Sequence, residues 1–313
     1  MVRSLLCLWG LLCWVGVACA QPAPRFGDAF WRRWGDGKAE VSAYELEISR
    51  YGVSRRGVAV AIFVTEPFRE SLRVKRERPG GPDGDTFQVL KLNLVKDFPT
   101  GVYDYHLMLS AFVGLEPAGG RAAGTPCKLS FTAQEWCGQA AHFLWFDRGR
   151  VREQLHSYFD GEADRAGGFP WPAGGLSEDV LWHWARGFAG PVLRPGEEKR
   201  VSLLTSLQGA RLRHVPLAWA PARLARGEGV LRREVPAGIF EVTECTAQAE
   251  GGRTWRFYVE RAVPRRIVEW SLEGVERARL LGSQRMAYWK WNGPGGEKRL
   301  RALGLTPRPP RTP

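Results

Sequence analysis

The chain has 313 residues with 45 Lys and Arg against 33 Asp and Glu, a formal net charge of +12. A length of this order buries a sizeable core without cross-links, which excludes a small disulfide-stapled scaffold. The base is 37 Arg against 8 Lys, scattered as singles and pairs such as Arg32–Arg33 and Arg265–Arg266, and without a basic tract or a nucleic-acid module no nucleic-acid partner is expected.

Residues 1–20, MVRSLLCLWGLLCWVGVACA, place Arg3 ahead of the apolar run Leu5–Val17 and close on Ala18 and Ala20. This is the pattern of a secretory signal peptide, and the run is too short to span a bilayer comfortably. Export to a periplasm or extracellular space is therefore expected, with no transmembrane helix in the mature chain. The rival reading makes Cys19 a lipid anchor; Gly16, where lipoprotein signals usually carry a branched residue, favours plain cleavage. Three cysteines then remain, Cys127, Cys137 and Cys245. At most one disulfide can form among three, with Cys127 and Cys137 the nearest pair.

After a Pro-containing leader, Phe26, Phe30 and Trp34 fall at i, i+4 and i+8, a short amphipathic helix over 26–35 whose aromatic stripe docks on a sheet. AEVSAYELEISRY then alternates, with Tyr44, Leu46 and Ile48 on one face and Glu45, Glu47 and Ser49 on the other. VSRRG is expected to turn the chain into VAVAIFVTE, an apolar strand suited to the middle of a sheet. The Gly- and Pro-rich ERPGGPDGD forms a loop. FQVLKLNLVKDF and GVYDYHLMLSAFV form a hairpin turned at Pro99 and Gly101.

KLSFTAQEWCG and a hairpin turned at Asp147–Gly149 follow, and DGEADRAGGFPWPAGG is expected as loop. LSEDVLWHWARGF reads as a helix over 177–187, with Ser177 as cap and Glu178 and Asp179 in the first turn. Strand patterns then return in KRVSLL, RHVPLAW, AGIFEVTECTAQA, TWRFYVERA and RRIVEWSL. A short helix near 296–303 closes the fold. The expected fold is mainly β, a large curved antiparallel sheet or open barrel-like meander with a few short helices. Residues 21–304 make one domain in two halves, about 26–165 and 175–304, followed by a disordered tail over 305–313.

Three stretches, VLKLN (89–93), TGVYDY (100–105) and QEWCG (134–138), together with AYELEISRYG and FVTEPF, resemble a family of uncharacterised exported bacterial proteins. Some members carry a septum-formation-inhibitor label, which belongs to a cytoplasmic pyrophosphatase chemistry that this chain gives no reason to adopt. The second half, with VPAGIFEV and WRFYVERAVPRRIVEW, resembles periplasmic domains whose antiparallel sheet curls like a lipoprotein carrier. That resemblance implies a concave apolar surface, holding a lipid chain or plugged by a helix.

No GxSxG, HExxH, Walker loop or CxxC occurs, and five histidines stand singly, so neither a cofactor nor a metal site is expected. Two constellations stand out. Gln134, Glu135, Trp136 and Cys137 contain the best nucleophile, Cys137, with His142 or His106 as base; packing at a strand end is the commoner use of such residues. Lys91, Asn93, Tyr103 and Tyr105 share a hairpin that is expected to set Lys91 and Asn93 near Asp104 and His106, at the mouth of a binding groove. Fourteen tryptophans, two of them in the leader, suit a wide core or an apolar groove. The reading is a non-enzymatic envelope protein that binds a lipid or other apolar small molecule, or an envelope protein partner. The alternatives are an exported hydrolase or thiol enzyme using Cys137, and a purely structural envelope component.

Overall fold

The structure, a computed structural model, describes residues 25–82 and 84–307. The expected secretory leader, the alternative anchor at Cys19 and most of the expected tail lie outside the described residues.

Helix α1 (Asp28–Trp34) leads into β1 (Ala39–Arg50) and β2 (Val53–Arg69), then the two-residue β3 (Val74–Lys75), β4 (Thr86–Pro99) and β5 (Asp104–Gly114). The first half continues through β6 (Pro126–Glu135), β7 (Gly138–Asp147), β8 (Arg150–Ser157) and β9 (Arg165–Pro170). A short β10 (Leu176–Ser177), one 3-10 turn (Glu178–Val180) and α2 (Leu181–Ala185) connect the halves. The second half holds β11 (Glu198–Leu204), α3 (Leu207–Arg213), β12 (Trp219–Arg226), β13 (Leu231–Val235) and β14 (Gly238–Ala249). It ends with β15 (Thr254–Glu260), β16 (Ile267–Leu272), β17 (Glu276–Met286) and 3-10 turns, the last over Gly296–Leu303.

Among the described residues seventeen strands form one sheet, large and open as the alternation predicts. Within the first half the meander runs β1, β2, β4 to β9, each strand antiparallel to the last, with β3 hydrogen-bonded to the end of β2. The halves join where β1 pairs with β17, Ala39 opposite Met286 and Ile48 opposite Glu276. The sheet then continues through β16, β15 and β14 to β12 and β13, and from β12 to β11; only the β10–β11 pair is parallel. The far arm of the first half approaches the second without a ladder among the described residues: the Trp219 indole of β12 donates to Pro170 O of the edge strand β9 at 3.1 Å.

The interior holds the helix that links the halves. Leu181, Trp182, His183, Trp184 and Ala185 are all buried, the mark of a helix enclosed on every side. Its Trp182 ring meets those of Trp255, Phe257 and Trp270 edge-on at 5.1–5.7 Å. His183 Nε2 lies 3.1 Å from Leu90 O, and burial drops its pKa to about 3, so the ring is neutral and donates from Nε2. At the far end Arg186 pairs with Glu40 at 2.7 Å, its guanidinium 4.6 Å from the Phe63 ring and 5.4 Å from Trp34. Trp34 comes from α1, so the aromatic stripe docks on the sheet as its spacing predicts, at the edge of this end.

Four local readings change. The first hairpin turns at Tyr51–Gly52, both with positive φ (55° and 73°), so VSRRG is part of β2. This two-residue turn matches the twist of its strands, as a turn within VSRRG would not. The six residues Arg165–Pro170 inside the expected loop 160–175 are β9, an exposed edge strand whose glycines hide its pattern: a Cβ on Gly168 would lie 2.5 Å from Val151 O. RHVPLAW is not one strand; α3 ends at Arg213, capped at its start by Ser206 Oγ accepting from Gly209 N, and β12 begins only at Trp219. Finally, the β4–β5 register puts Lys91 opposite Phe112, Asn93 opposite Ser110, and Asp97 opposite His106. Lys91 and Asn93 are therefore nowhere near Asp104, because the turn at 100–103 pairs Pro99 with Asp104.

A buried ion pair crosses the interior. Lys96 Nζ reaches both carboxylate oxygens of Glu276 at 2.7 Å and Gln208 Oε1 at 2.8 Å. The carboxylate also accepts from the Trp270 indole and from Gln208 Nε2, both at 2.9 Å. Burial raises the Glu276 pKa, but the Lys96 charge and these donors outweigh it and hold it below the usual carboxylate range. Removing one partner leaves a buried charge uncompensated. Lys96→Met or Glu276→Leu is expected to lower stability by about 3–5 kcal/mol in urea unfolding, and the double variant to recover most of that loss.

Candidate functional site

The strand turns at residues 51–52, 100–103, 136–137, 250–253 and 273–274 lie at one end of the sheet, opposite to Arg186 and α1. A cavity of about 570 Å³ opens there. Its rim carries Arg50 and Tyr51 from the first hairpin, Leu212 and Arg213 from α3, and the turn Glu250–Arg253. Deeper in, Leu94 and Lys96 of β4, Leu109 of β5, Trp182 of α2 and Trp255 of β15 line it with Glu178 and Asp179.

Each deep group is placed by strand parity or by a cap. Leu90, Leu92, Leu94, Lys96 and Phe98 alternate inward along β4, which carries Lys96 into an apolar face. Ser177 caps the 3-10 turn, accepting from Asp179 N and donating to Asp179 Oδ2, both at 3.2 Å. The same Oδ2 accepts from Leu207 N at 2.9 Å, and Glu178 Oε2 accepts from Ser206 N at 3.2 Å. The two adjoining carboxyls thus hold the start of α3 against the inner helix. No Lys or Arg of the described residues forms an ion pair with either.

The electrostatics follow from that arrangement. Burial first, and the neighbouring Glu178 next, push the Asp179 carboxyl up to about 7 against its hydrogen bonds. Burial likewise raises Glu178. At the rim, Tyr51 Oη lies 2.7 Å from Tyr105 Oη and 3.3 Å from Tyr103 Oη, while Arg50 donates to Tyr105 Oη at 3.0 Å and to Leu212 O at 2.9 Å. Burial raises the Tyr51 hydroxyl, but the two tyrosines and Arg50 outweigh it and lower it overall.

The residues singled out from sequence divide sharply. Tyr105 is buried, stacked on Phe98 at 5.1 Å, and supports the rim. Tyr103 stacks on Trp136, whose ring is 77% exposed. Glu135 lies 3.9 Å from Arg211, and Gln134 and Glu135 both border a shallow groove with Gln139, His156 and Tyr158, apart from the cavity. Lys91 pairs with Glu66 at 2.6 Å and Asn93 accepts from Ser110 Oγ at 2.7 Å; neither lines the cavity. They support the sheet and do not border the cavity.

All three described cysteines are free. Cys127 and Cys245 are buried, and burial raises both thiols. Cys137 is exposed, but His142 is engaged with Glu153 at 2.8 Å and His106 with Asp97 at 2.5 Å. No group of three or more metal-binding side chains occurs among the described residues, and none of their helices is long and apolar enough to cross a membrane. Comparisons with protein-family models, curated proteins and solved structures find no match.

Lys96, Asp179, Trp182, Gln208 and Glu276 were not singled out as site residues in the sequence. The one local signal is Lys96, a cation on the apolar face of an alternating strand.

An acid whose folded pKa lies above its unfolded value weakens the fold as pH rises from about 4 through 7. Asp179→Asn keeps the acceptor for Leu207 N–H and removes the ionisation. Its unfolding free energy should exceed that of the wild type by about 1–3 kcal/mol at pH 8 and match or fall below it at pH 4, a crossover that denaturant titrations at the two pH values measure.

Proposed function

We propose that the chain is an exported envelope protein that binds a small ligand with an apolar body in the cavity at the tyrosine end, and that it is not an enzyme. The observation that carries this reading is the cavity itself, in the 300–1,000 Å³ range of small-molecule sites, where Trp182, Trp255, Leu94, Leu109 and Leu212 meet a few converging polar groups. The leader-like pattern of residues 1–20 supports export. A lipid chain lying along the concave sheet is not favoured, because α2 and its indoles occupy that space. The thiol-enzyme reading finds little support in an exposed Cys137 whose two proposed bases are both engaged elsewhere.

The test is uptake of 1-N-phenylnaphthylamine by the purified chain. Saturable fluorescence enhancement is expected, and Leu212→Trp, which adds a ring to the wall, should weaken it about tenfold or more while the circular dichroism stays unchanged. An absence of enhancement, or equal uptake by Leu212→Trp, refutes the reading. For the thiol alternative, iodoacetamide should label Cys137 at the rate of an ordinary exposed thiol, unchanged in His106→Ala and His142→Ala, and should spare Cys127 and Cys245 until the chain is unfolded.

A further inference from the structure

The geometry points to a small organic ammonium as the ligand of this cavity, its positive head against Glu178 and Asp179 and its carbon body on the indoles of Trp182 and Trp255. This rests on the binding reading of the same cavity and adds the chemical class.

Asp179 is buried and Glu178 half-buried, and neither forms an ion pair among the described residues; such carboxyls are costly to ionise unless something neutralises them. The nearby candidates are all committed. Lys96 is neutralised by Glu276 at 2.7 Å. On α3, Arg213 is tied back to Gly209 O at 3.0 Å, and on β1 Arg50 is held by Leu212 O and Tyr105 Oη. Arg253 and Glu250, on the β14–β15 turn, are exposed and screened. The hydrogen bonds that the carboxyls accept come from backbone N–H groups at the start of α3 and the Ser177 hydroxyl, which carry no full charge, and the charges of Arg213 and Lys96 lower Glu178 and Asp179 by less than burial raises them.

The walls fit the same class of ligand. Indole faces are the best aromatic partners of a cation, and Trp255 and Trp182 both line the cavity, the Lys96 ammonium near Trp182 being neutralised by Glu276. Trp182 is 2% exposed and its Nε1–H has no partner among the described residues. That buried donor is available to an oxygen next to the ammonium, as in an amino alcohol. A bound cation would also stabilise the ionised form of Asp179, so that affinity rises with pH through the range where this acid loses its proton.

The experiment is calorimetric titration of the purified chain with choline and with 3,3-dimethylbutanol, its uncharged analogue of the same shape, at pH 8 and pH 5.5. Choline is expected to bind about tenfold or more tightly than the alcohol at pH 8, and to lose about tenfold in affinity at pH 5.5. Asp179→Asn should reduce both differences by about threefold or more, and the double variant with Glu178→Gln should abolish them. If the alcohol binds as tightly as choline at pH 8, the ammonium class is wrong while the cavity reading stands. If choline does not bind although the dye does, the class is again refuted; if neither binds, the cavity reading falls with it.

Discussion

A helix enclosed by a sheet has to resolve its charges inside the protein, and here that constraint organises both ends of the molecule. The segment Glu178–Arg186 enters the interior on two carboxyls and leaves it on a guanidinium. At the exit, Arg186 finds Glu40 on β1 together with the faces of Trp34, Phe63 and Phe188, so the charge is fully matched. At the entry the cation that lines the cavity floor, Lys96, is taken by Glu276, and the buried Arg211 of α3 faces Glu135. One end of the helix is therefore electrostatically closed and the other is left open, and the open one borders the cavity.

The two ion pairs also tie the halves of the chain together. Glu40 and Glu276 lie on β1 and β17, the strands whose pairing makes the sheet continuous. Their partners come from the linking helix and from β4. The halves therefore share one hydrophobic core around α2, from Leu90 and Phe131 in the first to Trp255 and Trp270 in the second. Ion pairs so deeply buried contribute less to stability than their distances suggest, since both charges lose their hydration; what they add is a strong penalty for any arrangement that leaves one of them alone.

How far the sequence reveals this depends on the range of the interaction. Period-two alternation identifies β1, β4, β5 and β15, and in β1 it assigns Tyr44, Leu46 and Ile48 to the inner face where they lie, because parity is a property of adjacent residues. The α2 and α1 segments are legible for the same reason, from a cap and an aromatic stripe. The Tyr51–Gly52 turn is not, since it asks a tyrosine to adopt a positive φ, and nothing local to VSRRG argues against a turn there. β9 is hidden by its own glycines, and α3 is too short for its period to outweigh the strand-like RHVPLAW that follows. The site is the least legible part. Lys96 and Glu276 are 180 residues apart and meet only because β17 returns beside β1, so Lys96 appears in the sequence as an isolated exception to its strand's pattern. Lys91 and Asn93, on the opposite parity, attract attention as polar residues in an apolar strand although they are merely its outer face.

The cavity itself follows from a mismatch of lengths. A strand rises about 3.3 Å per residue and an α-helix 1.5 Å, so β2, with 17 residues, is several times longer than the helical segment it wraps. Side chains and further helices have to fill the remainder. At the Arg186 end, Phe26, Phe30 and Trp34 of the N-terminal segment close on Phe188, ring against ring. At the other end the filler is α3, seven residues whose buried Leu207 and Ala210 face the core and whose later residues turn back to Arg50. It bridges part of the opening, its amides spent on Glu178 and Asp179, and reaches no further because Pro216 and the return into β12 follow within a few residues. A hollow with carboxyls at its floor and tyrosines at its lip is what remains when a short helix, held by its own acidic start, is asked to plug a long sheet.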